Sequence, residues 1–230
     1  MCGRYTLSSP SDDLALLFDL PELPLVPPRY NLAPTQEAAV VRVPAPGQPR
    51  QLALLKWGLI PYWAKEASIG NRMINARAES AAEKPAYRWS FQKKRCLIPA
   101  DGFYEWKKEG KAKQPYLIRR ADKKPFAFAG LWSSWRDPDQ GGKTVDTFTI
   151  LTTGPNDLMR PLHDRMPVIV DRENFDLWLD PKMEDPARLQ PLLVPHAPDG
   201  FEAFPVSRLV NSPTNDRPEC IEPLVEEQST

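Results

Sequence analysis

The chain has 230 residues, 41% hydrophobic and 26% charged, which is enough apolar material for one substantial domain and too little charge for a disordered chain. Thirty Lys and Arg balance thirty Asp and Glu, so no general basic field advertises nucleic acid and any anion site must be local. Three cysteines, at positions 2, 96 and 220, make no disulfide framework, and the two histidines fall in no metal-ligand spacing, so neither a structural metal nor a cofactor is expected.

In chain order, "SPSDDLALLFDL" carries a cap, a proline at the first helical position and an acidic first turn, which predicts a helix over 10–19. The prolines of "LPELPLVPPRYNLAPTQ" forbid a helix and predict an extended loop. "AAVVRV" and "QLALLKW", separated by "PAPGQP", predict a hairpin over 38–57. A helix is expected over 79–90. The short apolar or alternating runs "RCLIPADGFYEWKK", "QPYLIRR", "FAFAGLW" and "DTFTILTT" predict strands, with a surface loop over 133–146. Further helices are expected over 171–180, with Asp171 as cap, and over 186–193 behind Asp185-Pro186.

Together these predict an α+β fold, a curled antiparallel or barrel-like sheet with short peripheral helices. A single domain is expected over 1–222, followed by an acidic tail over 223–230 that frays. No basic stretch leads into an apolar one at the start, and no run of about 18 apolar residues occurs, so the expectation is a soluble, cytoplasmic monomer without a membrane.

Four stretches place polar groups in apolar or aromatic settings, where they are costly without a partner or a task. "MCGRY" puts Cys2 behind the initiator methionine. If Met1 is removed, Cys2 carries an α-amine and a thiol on neighbouring carbons, titrating at roughly 8 and 8.5 before perturbation, and such a 1,2-aminothiol captures aldehydes. The competing reading is a frayed terminus. Gly3 permits a close turn, and Arg4 offers a fixed charge for the terminus or a phosphate.

"WGLIPYW" is followed by "NARAES", in which Asn75, Arg77 and Glu79 share a face if the segment is extended; a solvated strand edge competes with a platform for single-stranded nucleic acid. In "ADGFYEW", Glu105 shares a face with Phe103, and desolvation there disfavours its charged form; an exposed strand glutamate is the alternative. In "LHDRMPVIV", His163 is a candidate acid–base imidazole, while His196 reads as part of a turn. Arg165 suits either an anion or a salt bridge with Asp164 or another acid. Cys96 reads as a small buried hydrophobe and Cys220 as a bystander.

With those residues in view, the chain resembles the SOS response-associated peptidase (SRAP) family. The resemblance runs through MCGR, "YNLAP", "WGLIPYW", "NARAES", "RCLIPADGFYEWK", "HDRMPVIV" and "PVSRLVN" in that order. It implies a protein that binds single-stranded DNA and links covalently to abasic sites through Cys2 after loss of Met1, giving a thiazolidine. By similarity, Asn75 orients the aminothiol and the sugar, Glu105 serves as acid–base, and His163 handles protons of sugar opening and imine formation. Arg4, Arg77 and Arg165 match positions that grip phosphates, Trp63 and the Pro34 loop match the DNA-lining surface, and Thr152 lies beside the site. Pro85 and Gly154-Pro155 depart from the family pattern and bear on the DNA footprint. Two other readings stay open: a cysteine peptidase using Cys2 and His163, and a non-covalent binder of single-stranded or modified DNA.

Overall fold

Apolar runs bounded by Pro, Gly and Asp become strands, and the chain start is drawn in among them. The structure, a computed structural model, describes residues 2–110 and 112–224, so Met1 and residues 225–230 of the expected tail lie outside it. The first half runs β1 (Tyr5–Leu7), α1 (Ser11–Phe18), β2 (Arg29–Leu32), β3 (Glu37–Arg42), β4 (Gln51–Trp57), β5 (Asn75–Arg77), α2 (Ala78–Ala81), α3 (Arg88–Lys93), β6 (Arg95–Ala100) and β7 (Gly102–Glu109). The second half runs β8 (Ala112–Arg120), β9 (Phe126–Asp137), β10 (Lys143–Thr153), β11 (Met166–Pro167), β12 (Ile169–Val170), α4 (Phe175–Leu179), α5 (Pro186–Leu189) and β13 (Phe201–Pro205).

The expected hairpin is β3 and β4, paired antiparallel from Glu37 opposite Lys56 to Arg42 opposite Gln51. From β3 the sheet continues through β6, β9 and β10. β10 then returns to β4 in parallel, with Thr147 beside Lys56 and Phe148 beside Trp57, which closes a five-stranded barrel. β5 joins β10 in parallel and β11 joins it antiparallel, so the C-terminal end of β10 is flanked on both sides. A second sheet has the order β13, β8, β7, β1, β2.

"RCLIPADGFYEW" reads as one strand, but it divides between the two sheets at Asp101. The Asp101 carboxylate accepts hydrogen bonds from the Ser8 and Ser9 backbone N–H groups and from both hydroxyls, and this fixes the corner beside β1. The 133–146 segment is not a surface loop: β9 runs to Asp137 and β10 starts at Lys143, leaving a tight turn. Asp137 caps that turn by accepting from the Asp139 N–H at 3.0 Å, and Gly141 and Gly142 supply its positive φ angles.

The helix expected over 79–90 is broken, with α2 ending at Ala81 and α3 starting at Arg88, because Pro85 lies between them. α1 ends at Asp19, in the left-handed region at φ 50°. A 3₁₀ turn over Arg172–Asn174 precedes α4, and Asp171 does not cap it; its carboxylate lies 3.1 Å from His196 Nε2 instead. Asp185 does cap α5, accepting from the Ala187 N–H at 2.9 Å, and the helix gives way to a 3₁₀ turn over Gln190–Leu193. Among the described residues, no helix is long and apolar enough to cross a membrane.

The barrel interior is aromatic. Tyr5 meets Trp57 edge-on at 5.2 Å and Phe128 at 5.9 Å between ring centroids, and Trp57 stacks on Phe148 at 6.2 Å. Arg95 is buried and forms no ion pair among the described residues. Its guanidinium donates instead to the carbonyls of Phe91, Gln92, Trp178 and Asp180, tying the C-terminal ends of α3 and α4 to β6, and burial lowers its pKa to about 10.

β6, β9 and β10 meet at Gly130, which lies opposite both Cys96 and Ile150. A Cβ there would run into Ile98 Cδ1 and would stand 2.9 Å from the Thr149 carbonyl oxygen and 3.1 Å from Cys96 Sγ. Gly130→Ala is therefore expected to destabilise the fold by roughly 1–3 kcal/mol. The measurement is a lower urea midpoint at unchanged m-value.

Candidate active site

Residue 2 is held by the strand that follows it. β1 is short but lies between β2 and β7, with Tyr5 opposite both Leu32 and Phe103, and all three of its residues are buried. The Tyr104 N–H donates to the Arg4 carbonyl at 3.0 Å, which extends the tie toward the chain start. Cys2 is consequently 0% exposed, and Asn75 Nδ2 donates to its carbonyl at 2.7 Å. Burial first, and the negative charge of Glu105 second, push the Cys2 thiol well above its usual range. The resting sulfur is a thiol.

Asn75 is itself fixed from three directions. The Ile74 carbonyl before it accepts from Trp57 Nε1 at 2.8 Å and from the Ile150 N–H at 3.1 Å, and its own carbonyl accepts from the Tyr87 hydroxyl at 3.3 Å. Its side-chain Oδ1 is buried and finds no acceptor role among the described residues, which leaves one oxygen at the site open to a donor.

Glu105 enters from β7, opposite Tyr116 of β8. Strand alternation puts Phe103 in the main core and Tyr104 in the smaller cluster with Leu117, Val206 and Val210, so Glu105 shares the Phe103 side, and it is 3% exposed. Burial raises its pKa, partly offset by the neighbouring His163. A carboxyl group so placed retains its proton to higher pH than an exposed one, which suits a general acid.

His163 comes from the turn between β10 and β11. The Asn156 side chain accepts from the Met159 N–H at 2.9 Å, and the His163 N–H donates to the Met159 carbonyl at 2.9 Å. Its Nδ1 lies 3.0 Å from the Arg165 N–H and 2.8 Å from Asp164 Oδ1. Because β10 lies between β5 and β11, Asn75 and Arg77 on one side and His163 and Arg165 on the other converge on its end at Thr152, which is buried and pairs with Arg77.

Cys2, Asn75, Glu105 and His163 are thus gathered from both sheets. The positions expected to face DNA are more varied. Arg77 is exposed, Trp63 is half exposed, and Pro34 stands partly exposed before Thr35, a turn residue at φ 72°. The 58–66 loop that carries Trp63 is pinned by the Ile60 N–H on Thr147 Oγ1 at 2.9 Å and by Trp135 Nε1 on the Ala64 carbonyl at 2.7 Å. Arg4 turns to Asn31 Oδ1 and the Val210 carbonyl, both at 2.8 Å, with its guanidinium 5.8 Å from the Trp106 ring centroid. Arg165 grips Glu79, an acid that the sequence alone leaves as a member of an alternating run. His196 lies elsewhere, between Asp171 and Phe201. Tyr87 carries no signal in the sequence. Among the described residues, no cluster of His, Cys, Asp or Glu is arranged to hold a metal, and the three thiols are free and buried.

The profile of the SOS response associated peptidase (SRAP) family matches residues 1–213. The chain is 49% identical over 228 residues to the abasic site processing protein YoqW of Bacillus subtilis (strain 168), spanning 96% of this chain and 99% of that one. It is 32% identical over 231 residues to the abasic site processing protein YedK of Escherichia coli (strain K12), spanning 97% and 100%. In fold it is similar to a solved protein from Bacteroides thetaiotaomicron, at a TM-score of 0.86 and 27% identity over 97% of this chain and 100% of that one.

Glu105 is a cause of the raised Cys2 pKa but not of that of Cys96, whose thiol is raised by burial alone. Removing the carboxylate in Glu105→Gln lowers the Cys2 pKa, so more thiolate exists at any given pH. Iodoacetamide alkylation followed by peptide mass mapping is expected to show faster labelling of Cys2 between about pH 7 and 9 with Cys96 unchanged.

Proposed function

The chain belongs to the SOS response associated peptidase family, and from that premise we propose that it processes abasic sites in single-stranded DNA by forming a thiazolidine crosslink through Cys2. The observation that carries this reading is the full burial of Cys2, with its carbonyl held by Asn75, next to a Glu105 whose burial favours the protonated acid. Two relatives that the chain matches over nearly its whole length are named as abasic site processing proteins.

Loss of Met1 supplies the amine. An abasic deoxyribose in its open form presents an aldehyde at C1′, and the Cys2 amine adds to that carbon. Glu105 donates a proton to the departing hydroxyl, so water leaves and an iminium forms. The Cys2 sulfur then attacks C1′, and its proton passes to the Glu105 carboxylate. The balance is one aldehyde and one aminothiol in, one thiazolidine and one water out. Because amine and thiol belong to the same residue, the second attack is intramolecular. Ring closure removes the iminium, the electron sink that β-elimination of the strand requires, so the lesion is shielded rather than cut.

Asn75 fixes the direction of attack through the Cys2 carbonyl and offers Oδ1 to the amine or a sugar hydroxyl. His163 moves the protons of sugar opening. Arg77 and Arg165 take phosphates, and Trp63 and the Pro34 turn line the strand. A raised thiol pKa fits this order of events, in which the amine acts first, better than it fits a peptidase that attacks other chains with a resting thiolate. The peptidase activity in the family's name is then confined to the bond after Met1.

Protein lacking Met1 is expected to form a denaturation-resistant adduct with an abasic single-stranded oligonucleotide on a denaturing gel, and Cys2→Ala is expected to form none. Glu105→Gln should slow adduct formation on the order of 10²–10⁴-fold, the range for general acid–base groups. Arg77→Ala should mainly weaken binding and reduce the salt slope by about one. Cys2-dependent cleavage of unrelated peptides without any DNA adduct would reverse the assignment.

A further inference from the structure

We propose that Glu79 is a built-in stand-in for a DNA phosphate on Arg165, so that strand binding exchanges one ion pair for another. This rests on the reading that the site takes single-stranded DNA. It adds a residue that sets which ligands reach the site.

The Arg165 fork is already filled. Nη1 donates to Glu79 Oε1 at 2.6 Å and Nη2 to Glu79 Oε2 at 2.9 Å, the bidentate arrangement that carboxylate and phosphate share. Nη2 also donates to the Thr152 carbonyl and lies 3.4 Å from its hydroxyl, so the guanidinium is anchored on its inner edge by β10. The Arg165 side chain is 15% exposed and that of Glu79 is 53% exposed, which puts the carboxylate on the solvent side, where a ligand would arrive. Hydrogen bonding to Arg165 holds the Glu79 carboxyl below its usual range, so the pair is ionic at neutral pH.

Arg77 lies opposite Thr152 and adds a second positive charge that acts on Glu79. An incoming phosphate therefore meets two guanidinium groups and one carboxylate. Both anions cannot share the fork, and the carboxylate, on an exposed side chain at the start of a helix four residues long, is the one free to swing away. A small aldehyde without a phosphate leaves the Arg165–Glu79 pair closed.

The exchange has a signature in salt dependence. DNA binding releases counterions from phosphates, but a freed carboxylate takes one cation back, so the wild-type slope is shallower by up to about one than that of a protein without Glu79. A merely structural ion pair, tying α2 to the His163 turn, predicts no such difference.

The test is anisotropy of a single-stranded oligonucleotide carrying a tetrahydrofuran abasic analogue, which has no aldehyde and cannot crosslink, titrated over about 50–200 mM NaCl. Glu79→Gln is expected to bind tighter by on the order of fivefold, the scale of one exposed ion pair, with a salt slope steeper by about one. Glu83→Gln removes the same charge from an exposed residue of the same segment and should stay within about twofold of wild type, because the effect is specific to the paired acid. In an Arg165→Ala background, Glu79→Gln should bring no gain. Equal gains in the two Gln variants, or an unchanged or weaker Glu79→Gln whose melting temperature matches wild type, would overturn the proposal. Wild type that neither binds the analogue nor crosslinks to an authentic abasic strand would overturn the DNA reading as well, whereas wild type that crosslinks beside an unresponsive Glu79→Gln removes the exchange alone.

Discussion

Burial of the chain start is the constraint from which the rest of the site follows. Termini fray unless a sheet or a docking helix ties them down, and here three strand residues, Tyr5–Leu7, do the tying. Tyr5 is the anchor. It is fully buried and meets both Trp57 and Phe128 edge-on. Burying an aromatic side chain contributes roughly 1.5–3 kcal/mol, and each favourable ring pair about 0.5–1.5 more. This offsets part of the entropy of ordering the neighbouring backbone, about 1–2 kcal/mol per residue, with the strand pairing of β1 to β2 and β7 adding to it. A residue at position 2 of an ordinary chain has no such neighbour.

Low dielectric then makes the few charges at the site act on one another. Cys2 and Glu105 are both pushed toward their protonated forms by burial, and the charge of Glu105 raises Cys2 further. Both groups therefore hold their protons more tightly than exposed counterparts would, and the influence runs from Glu105 to Cys2. His163 opposes the shift at Glu105, and the charge of Asp164 adds to it slightly. Proton traffic at the site is therefore a property of the group, and deleting one member changes the others.

Much of this was legible in the sequence where the cause is local. The β3–β4 hairpin follows from its turn chemistry and α1 from its acidic first turn, although Pro10 stands at the N-cap rather than at the first helical position; alternation leaves Glu105 open between burial and exposure, and the sheet packed against β7 decides for burial. The misreadings share a long-range cause. Nothing near residues 133–146 announces that β9 and β10 pair almost to their shared turn, since Val145 and Trp135 find each other only in the folded sheet. The parallel pairings of β10 with β4 and β5 join segments about 75–90 residues apart, beyond any periodicity. The run through Asp101 reads as one strand, because the work of Asp101 as the corner shared by two sheets depends on the distant Ser8 and Ser9. The inward turn of Arg4 toward Asn31 and Val210, and the grip of Arg165 on Glu79, are contacts between distant segments for the same reason.

With zero formal charge the chain has no net field to draw in a polyanion, so under the proposed function recognition of the strand falls to local contacts. Discrimination then falls to geometry: which guanidinium is open, which is already paired, and whether a phosphate stands at the right distance from the group that reacts. The end of β10 supplies that ruler. It fixes Arg77 on one neighbour and Arg165 near the other, with Asn75 two residues behind Arg77 and His163 two residues before Arg165. Strand pairing with β10 thus sets the positions of Asn75 and Arg77, and the turn leading into β11 carries His163 and Arg165 to the same end. A rigid ruler suits covalent chemistry, because an aldehyde misplaced by about 1 Å can lose on the order of a hundredfold in rate. In the proposed reaction the buried backbone of Cys2 has a matching role, because a mobile terminus would turn the same aminothiol into a general aldehyde scavenger.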